Sequence, residues 1–217
     1  NVNTFDGDPT RVIRYVEAMQ PEILVLEEVD RHWLDELATL HPLYPHRVVE
    51  QRPDNFGIAL FSQQPVKSSS ILTFGSAELP TIEAILDTTA GDLTIVATHT
   101  LPPVTATYAR LRDEHLLALA SSLSKHKSPT LLVGDLNTTP WSFAFRTLLS
   151  DSGLANCAAA FGVLPTWHAN HPVWKIPIDH CLHSKGIVVH DLRVGPNVGS
   201  DHLPLTAHIS LTNSSTQ

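Results

Sequence analysis

The chain has 217 residues, 42% of them hydrophobic, with 14 Lys and Arg against 22 Asp and Glu for a formal charge of −8. This composition excludes a disordered chain and suits one domain with a full hydrophobic core; no run of eighteen consecutive apolar residues is present to cross a membrane as a helix. The acidic balance disfavours a protein that grips nucleic acid mainly through the phosphate backbone, and Cys157 and Cys181 match no paired-cysteine metal motif.

The chain opens without Met, directly on Asn1-Val2-Asn3, which sets the expectation of a fragment or processed product lacking its leading part. Asp8-Pro9 can cap and start a helix with Val12, Val16 and Met19 at helical spacing, ended by Pro21. Ile23-Leu24-Val25-Leu26 is short enough for a buried strand and delivers Glu27-Glu28 to its end. Asp30 caps a second predicted helix through Leu40, with Trp33, Leu34 and Leu37 on one side.

Strands are predicted near 46–50, 57–62, 70–74, 81–88 and 92–98, the last two joined by a Gly91-Asp92 turn. A long helical pattern covers 106–124 through Leu111, His115, Leu116, Leu119 and Leu123. A strand over 130–133 runs into Gly134-Asp135, and Pro140 leads into a helix over 142–150 whose Phe143, Phe145 and Leu148 supply apolar contacts. Further strands fall at 177–183, 187–193 and 204–211, and the Ser/Thr-rich end after Leu211 reads as a frayed tail. Hairpin-like pairs mixed with helices predict an α+β fold, a layered α/β/β/α sandwich, rather than a strictly alternating parallel one.

Several polar motifs fall just after predicted strands, where neighbouring strand ends gather distant residues. Glu28 is costly to bury without a cation or hydrogen-bond partner, and a hard divalent ion suits its carboxylate; alone it reads first as an exposed strand-end acid. Alternation points Glu27 to the opposite face. In Gly134-Asp135-Leu136-Asn137 the Gly permits a close turn, Asp135 can orient water or accept its proton, and Asn137 can hold a phosphoryl oxygen; the bland reading is an Asx turn.

Ile178-Asp179-His180 and Ser200-Asp201-His202 repeat an Asp-His pair. Neighbours in a strand face opposite sides, so the useful pairing is Asp179 with His202 across strands, leaving Asp201 for metal or water and His180 for structure. His99, at the end of the 93–97 run, can donate to a phosphoryl oxygen, although thirteen histidines make any single one a weak signal. Oxygen ligands without paired thiolates favour Mg²⁺, or Mn²⁺, over zinc.

Together these residues resemble the endonuclease/exonuclease/phosphatase superfamily, which contains DNase I-like nucleases, sphingomyelinases and inositol-polyphosphate phosphatases. The resemblance spans nearly the whole chain, through Asn1-Val2-Asn3, Leu26-Glu27-Glu28-Val29, His99, Gly134-Asp135-Leu136-Asn137, Asp179 and Ser200-Asp201-His202. It implies a four-layer α/β/β/α sandwich, DNase I-like, with residues 1–217 as a single catalytic domain that lacks the strand leading into Asn1. It also implies Asn1, Glu28 and Asp201 at the metal, and His99, Asp135, Asn137, Asp179 and His202 in catalysis. Two departures stand out: Glu27 replaces the usual Gln beside the catalytic Glu, and Asn3 stands where some nucleases carry Asp.

The run 56–62, with Asp135 through Trp141 and Thr166-Trp167, looks like a bacterial group often preceded by membrane segments, which implies a monomeric domain in the cell envelope, outside the cytoplasm. Trp167 is expected to line the substrate mouth and Arg112 to contact a second phosphate or to face solvent. The expected function is Mg²⁺-dependent hydrolysis of a phosphate ester, a phospholipid head-group at a membrane surface or a small organic phosphodiester. DNA or RNA cleavage and a non-catalytic phosphate-binding domain are the alternatives.

Overall fold

The computed structural model describes residues 1–171 and 173–212. Asp8 caps α1 (Pro9–Met19) by accepting the Arg11 amide at 3.1 Å, and Asp30 caps α2 (Arg31–Leu37) by accepting the Trp33 amide at 2.9 Å. The second predicted helix tightens after Leu37 into a 3-10 turn, Ala38–Leu40. Between the two helices lies β1 (Ile23–Glu27), followed by β2 (His46–Glu50), β3 (Ile58–Ser62), β4 (Val66–Phe74), β5 (Leu79–Thr88) and β6 (Gly91–Thr98). Then come α3 (Ala106–Leu123), β7 (Thr130–Asp135), α4 (Phe143–Ser152), β8 (Ala155–Asn156), β9 (Asp179–His183), β10 (Ile187–Val194) and β11 (Leu205–Leu211). The tail expected to fray lies, from residue 213 on, outside the described residues.

Strands β4-β5-β6-β7-β9-β8 form a six-stranded sheet, β1-β3-β2 a three-stranded sheet, and β10-β11 a two-stranded one. Strand β6 pairs parallel with β7, through the α3 crossover, while the other ladders are antiparallel. Alternation along each strand then builds the layers. Ile58 and Leu60 of β3 meet Ile82, Ala84, Ile95 and Leu131 between the sheets. Ala59 and Phe61, one residue out of phase, pack beneath α1 and α2 with Val12, Val16, Trp33 and Leu37. On the far side Val96 and Leu132 pack against Leu116 and Leu119 of α3 and Phe145 and Leu148 of α4. The result is the α/β/β/α sandwich of the DNase I-like fold.

Two apolar assignments differ from the sequence reading. Phe143 is 78% exposed and Met19 49% exposed, because Ser142 rather than Phe143 anchors the start of α4 and Met19 is the last residue of α1. Cys157 and Cys181 are both buried and free, within the inter-sheet core. Among the described residues no helix is long and apolar enough to cross a membrane.

The topology gathers one end of the sandwich. The C-terminal ends of β1, β6 and β7 meet there, and β9, antiparallel to β7, begins there with Asp179 opposite Asp135 in register.

Candidate active site

Strand β7 reaches this end through Gly134, whose φ of +144° only glycine adopts readily. A Cβ at Gly134 would stand 2.0 Å from the Thr98 carbonyl oxygen and 2.4 Å from Glu27 Oε1. The close approach lets the Asp135 amide donate to both Glu27 carboxylate oxygens, at 3.1 and 3.0 Å. Glu27 is thus buried beneath the site, 2% exposed, and not on the opposite face that alternation assigned to it. Alternation holds only inside a strand, and β1 stops at Glu27; Glu28 takes a left-handed φ of 63° and turns its carboxylate to the same end of the sandwich.

Glu28 Oε1 accepts from Asn1 Nδ2 at 2.7 Å, and Glu28 Oε2 accepts from the Thr4 amide at 3.3 Å. Asp135 Oδ1 accepts the Asn137 amide at 2.8 Å, so the Asx turn and the functional reading of this motif are the same object. Asp135 Oδ2 is left facing two imidazoles, His99 Nε2 at 3.8 Å and His202 Nε2 at 3.7 Å. Phe56 covers His99, with ring centroids 5.1 Å apart. His202 Nδ1 donates to both oxygens of Asp179, at 2.9 and 3.1 Å.

The remaining candidates hold this centre in place. Asn137 Nδ2 commits one of its hydrogens to the Thr100 carbonyl at 2.8 Å, leaving the other for a ligand. Both Asp201 oxygens are occupied, one by Asn3 Nδ2 at 3.1 Å and the other by Trp167 Nε1 at 3.0 Å. Asp201 thus ties Asn3 and Trp167 together beside His202, with a further lone pair left on each oxygen. Arg112 does not face solvent: Nη1 donates to the Asn137 carbonyl at 2.8 Å, and Nε and Nη2 to Asp113. His180, as its structural reading required, is buried, bonded to the Thr138 carbonyl at 2.8 Å and packed on Phe145.

Burial dominates the electrostatics. It raises the Asp135 carboxyl well above its ordinary range, helped by the neighbouring Asp179 and Glu27 charges, and pushes Glu27 up to about 8. Burial would raise Asp179 too, but the charge and hydrogen bond of His202 outweigh it and hold that carboxyl below the usual range. Burial pushes His99 down to about 3 and keeps the ring neutral. Two buried carboxyls, Glu27 and Asp135, with the part-buried Asp179 and Glu28 beside them make a cluster of acidic groups that a cation relieves. Asp135, Asp179 and His202 also offer ligand atoms within 4.8 Å of one another. The donors are mostly oxygens, which fits a hard divalent ion.

Residues 1–202 match the model of the Endonuclease/Exonuclease/phosphatase family. The chain belongs to that family. Its fold is also that of solved structures at low sequence identity. The human Nocturnin catalytic domain with bound sulfate anion is 23% identical, with 94% of this chain and 86% of that chain covered and a TM-score of 0.77. An endonuclease/exonuclease/phosphatase from Beutenbergia cavernae is 20% identical, with 97% and 70% covered and a TM-score of 0.77. D. rerio TDP2 complexed with single strand DNA product is 13% identical, with 97% and 96% covered and a TM-score of 0.79. The comparison with curated proteins returned no match. Membership in the endonuclease/exonuclease/phosphatase family supports metal-dependent phosphoester hydrolysis at this centre.

Proposed function

We propose that the domain hydrolyses a phospholipid head-group or another small organic phosphodiester by in-line attack of water. The observation that carries the reading is the convergence on Asp135: one oxygen fixed by its own turn, the other open to His99 and to a His202 anchored by Asp179. Asp135 orients the attacking water and takes its proton. The ionised Asp179 accepts from His202 Nδ1 and turns Nε2 toward the scissile group, where Nε2 takes up a proton and, once protonated, stabilises negative charge or hands the proton on. Neutral His99 donates to a phosphoryl oxygen, joined by the uncommitted amide hydrogen of Asn137. Glu28 and Asn1 would hold a divalent ion, Mg²⁺ or Mn²⁺, which supplies Lewis-acid stabilisation of the developing charge.

The substrate class rests on the surroundings of the centre. Phe5, Val104, Trp141 and Trp174 are all exposed and sit on the segments that carry Asn3, His99, Asn137 and Trp167. Aromatic side chains with one wet face suit a lipid interface, while a net charge of −8 opposes a long polyanion. Turnover with Mg²⁺ on phospholipid vesicles, inositol phosphates, nucleotide esters and plasmid DNA tests this. Hydrolysis of the lipid or small esters is expected, and activity confined to plasmid would overturn the assignment in favour of a nuclease.

A further inference from the structure

The chain has two cysteines, Cys157 and Cys181, and the fold sets them side by side. Strand β8 pairs antiparallel with β9, Ala155 opposite His183 and Asn156 opposite Leu182. The next step along both strands puts Cys157, the first residue of the 3-10 turn Cys157–Ala160, opposite Cys181. Residues directly opposite in an antiparallel pair have Cα atoms about 4.5–5.5 Å apart, inside the roughly 4.4–6.8 Å that a disulfide spans. The two sulfurs are in contact at 2.7 Å, and both side chains are buried.

A buried thiol is ordinarily inert because reagents do not reach it. Here a cavity of about 90 Å³ runs beside Cys181, lined also by Asn156, Ala158, Trp141 and Val163. Trp141 and Val163 are exposed, so the cavity opens to the surface. It has room for several molecules the size of water, each of which needs about 10–15 Å³. A small oxidant therefore has a path to the sulfurs that a bulky one lacks.

We propose that Cys157 and Cys181 form an oxidation site, at which a peroxide joins them into a disulfide that locks the loop between them. One sulfur attacks a peroxide oxygen and the O–O bond breaks, giving a sulfenic acid and one water. The second sulfur then displaces the sulfenic oxygen, the S–S bond forms, and that oxygen leaves as a second water. Two thiols are oxidised by two electrons, one peroxide is reduced, and both thiol protons end in water. The cross-linked residues stand 24 positions apart in sequence. Between them, Thr166 Oγ1 accepts the Asp179 amide at 3.3 Å and Trp167 Nε1 donates to Asp201 at 3.0 Å. Strand β8, two residues long, holds the outer edge of the six-stranded sheet by Ala155 and Asn156 alone. The disulfide reinforces that edge and ties it to the strand that begins at Asp179.

The test uses the whole chain, treated with hydrogen peroxide and cleared of it, or held in dithiothreitol. Thiols are alkylated after denaturation, peptides are mapped under non-reducing conditions, and thermal unfolding is followed for both forms. Peroxide is expected to leave no alkylatable thiol and to yield one linked peptide pair carrying Cys157 and Cys181. The linked form is expected to melt about 10 °C above the reduced one, because closing the loop removes freedom from the unfolded chain. Dithiothreitol is expected to reverse the gain. Cys157→Ala, which keeps a small apolar side chain in the core, is expected to gain nothing from peroxide. Oxidation at the exposed Met19 is common to both chains and cancels in that comparison. Two alkylatable thiols after peroxide, sulfinic acid in place of the link, or links only between chains would each overturn the proposal. A linked chain that melts no higher than the reduced one would overturn the lock. None of these readouts uses turnover, so the result stands apart from the proposed reaction.

Discussion

Across 108 residues of sequence, the backbone amide of Asp135 donates to both carboxylate oxygens of Glu27. The carboxyl that departs from the family's usual Gln is therefore a support under the central Asp, not a surface residue. A Gln oxygen can accept the same amide, so Glu27→Gln is expected to keep turnover within a few-fold and to hold stability. Glu27→Ala strands a buried donor and is expected to cost about 1–3 kcal/mol. Denaturant unfolding and steady-state kinetics on the two variants check this; an inert Glu27→Ala would contradict the supporting role.

Gly134 makes that contact geometrically possible. Gly134→Ala places a Cβ against the Thr98 carbonyl and Glu27 Oε1 at a φ that disfavours side chains. The expected cost is about 3 kcal/mol or more, with loss of activity. Thermal unfolding of the variant within a degree of the parent would contradict the packing described.

Asp179 and His202 divide the work of one proton. Asp179→Asn keeps the shape but removes the ionised partner, so the imidazole loses its fixed tautomer. A fall in kcat of ~10²–10⁴-fold is expected with KM little changed. An unchanged kcat would remove His202 from the chemistry.

His115 gives the fold a pH dependence separate from the site. It is buried on α3, shares a 3.0 Å hydrogen bond with Thr98 Oγ1 and packs near the Phe74 ring. Burial pushes its pKa down to about 4 from an ordinary 6.5. The unfolded chain therefore binds a proton that the folded one refuses. Its stabilising contribution is complete above pH 6.5 and is lost as pH falls toward 4, by about 3 kcal/mol. Unfolding free energies measured between pH 7.5 and 4.5 are expected to fall less steeply in His115→Gln than in the parent. Parallel curves would assign the acid sensitivity elsewhere.

Much of the fold was legible because its elements are regular. The Asp8-Pro9 and Asp30 caps, the apolar runs and the 106–124 period each state their element locally, and the order of polar motifs after strands located the site. Glu27 escaped because its role depends on a contact 108 residues away and on β1 stopping at Glu27, so that alternation does not carry on to Glu28. Arg112 escaped for a similar reason: helical spacing places it on α3, but only the tertiary fold brings the Asn137 carbonyl to its guanidinium. Phe143 was misplaced because a helix start was read as apolar when Ser142 supplies the cap.

The most direct measurement is Mg²⁺-dependent phosphodiester turnover by Asp135→Asn beside the parent, with thermal unfolding of both. The amide oxygen of the variant can still accept from the Asn137 amide, and the change removes one of two buried carboxyls. Stability is therefore expected to hold or rise while turnover falls by ~10²–10⁴-fold. Parent-like Mg²⁺-dependent turnover in Asp135→Asn would contradict a centre built on Asp135.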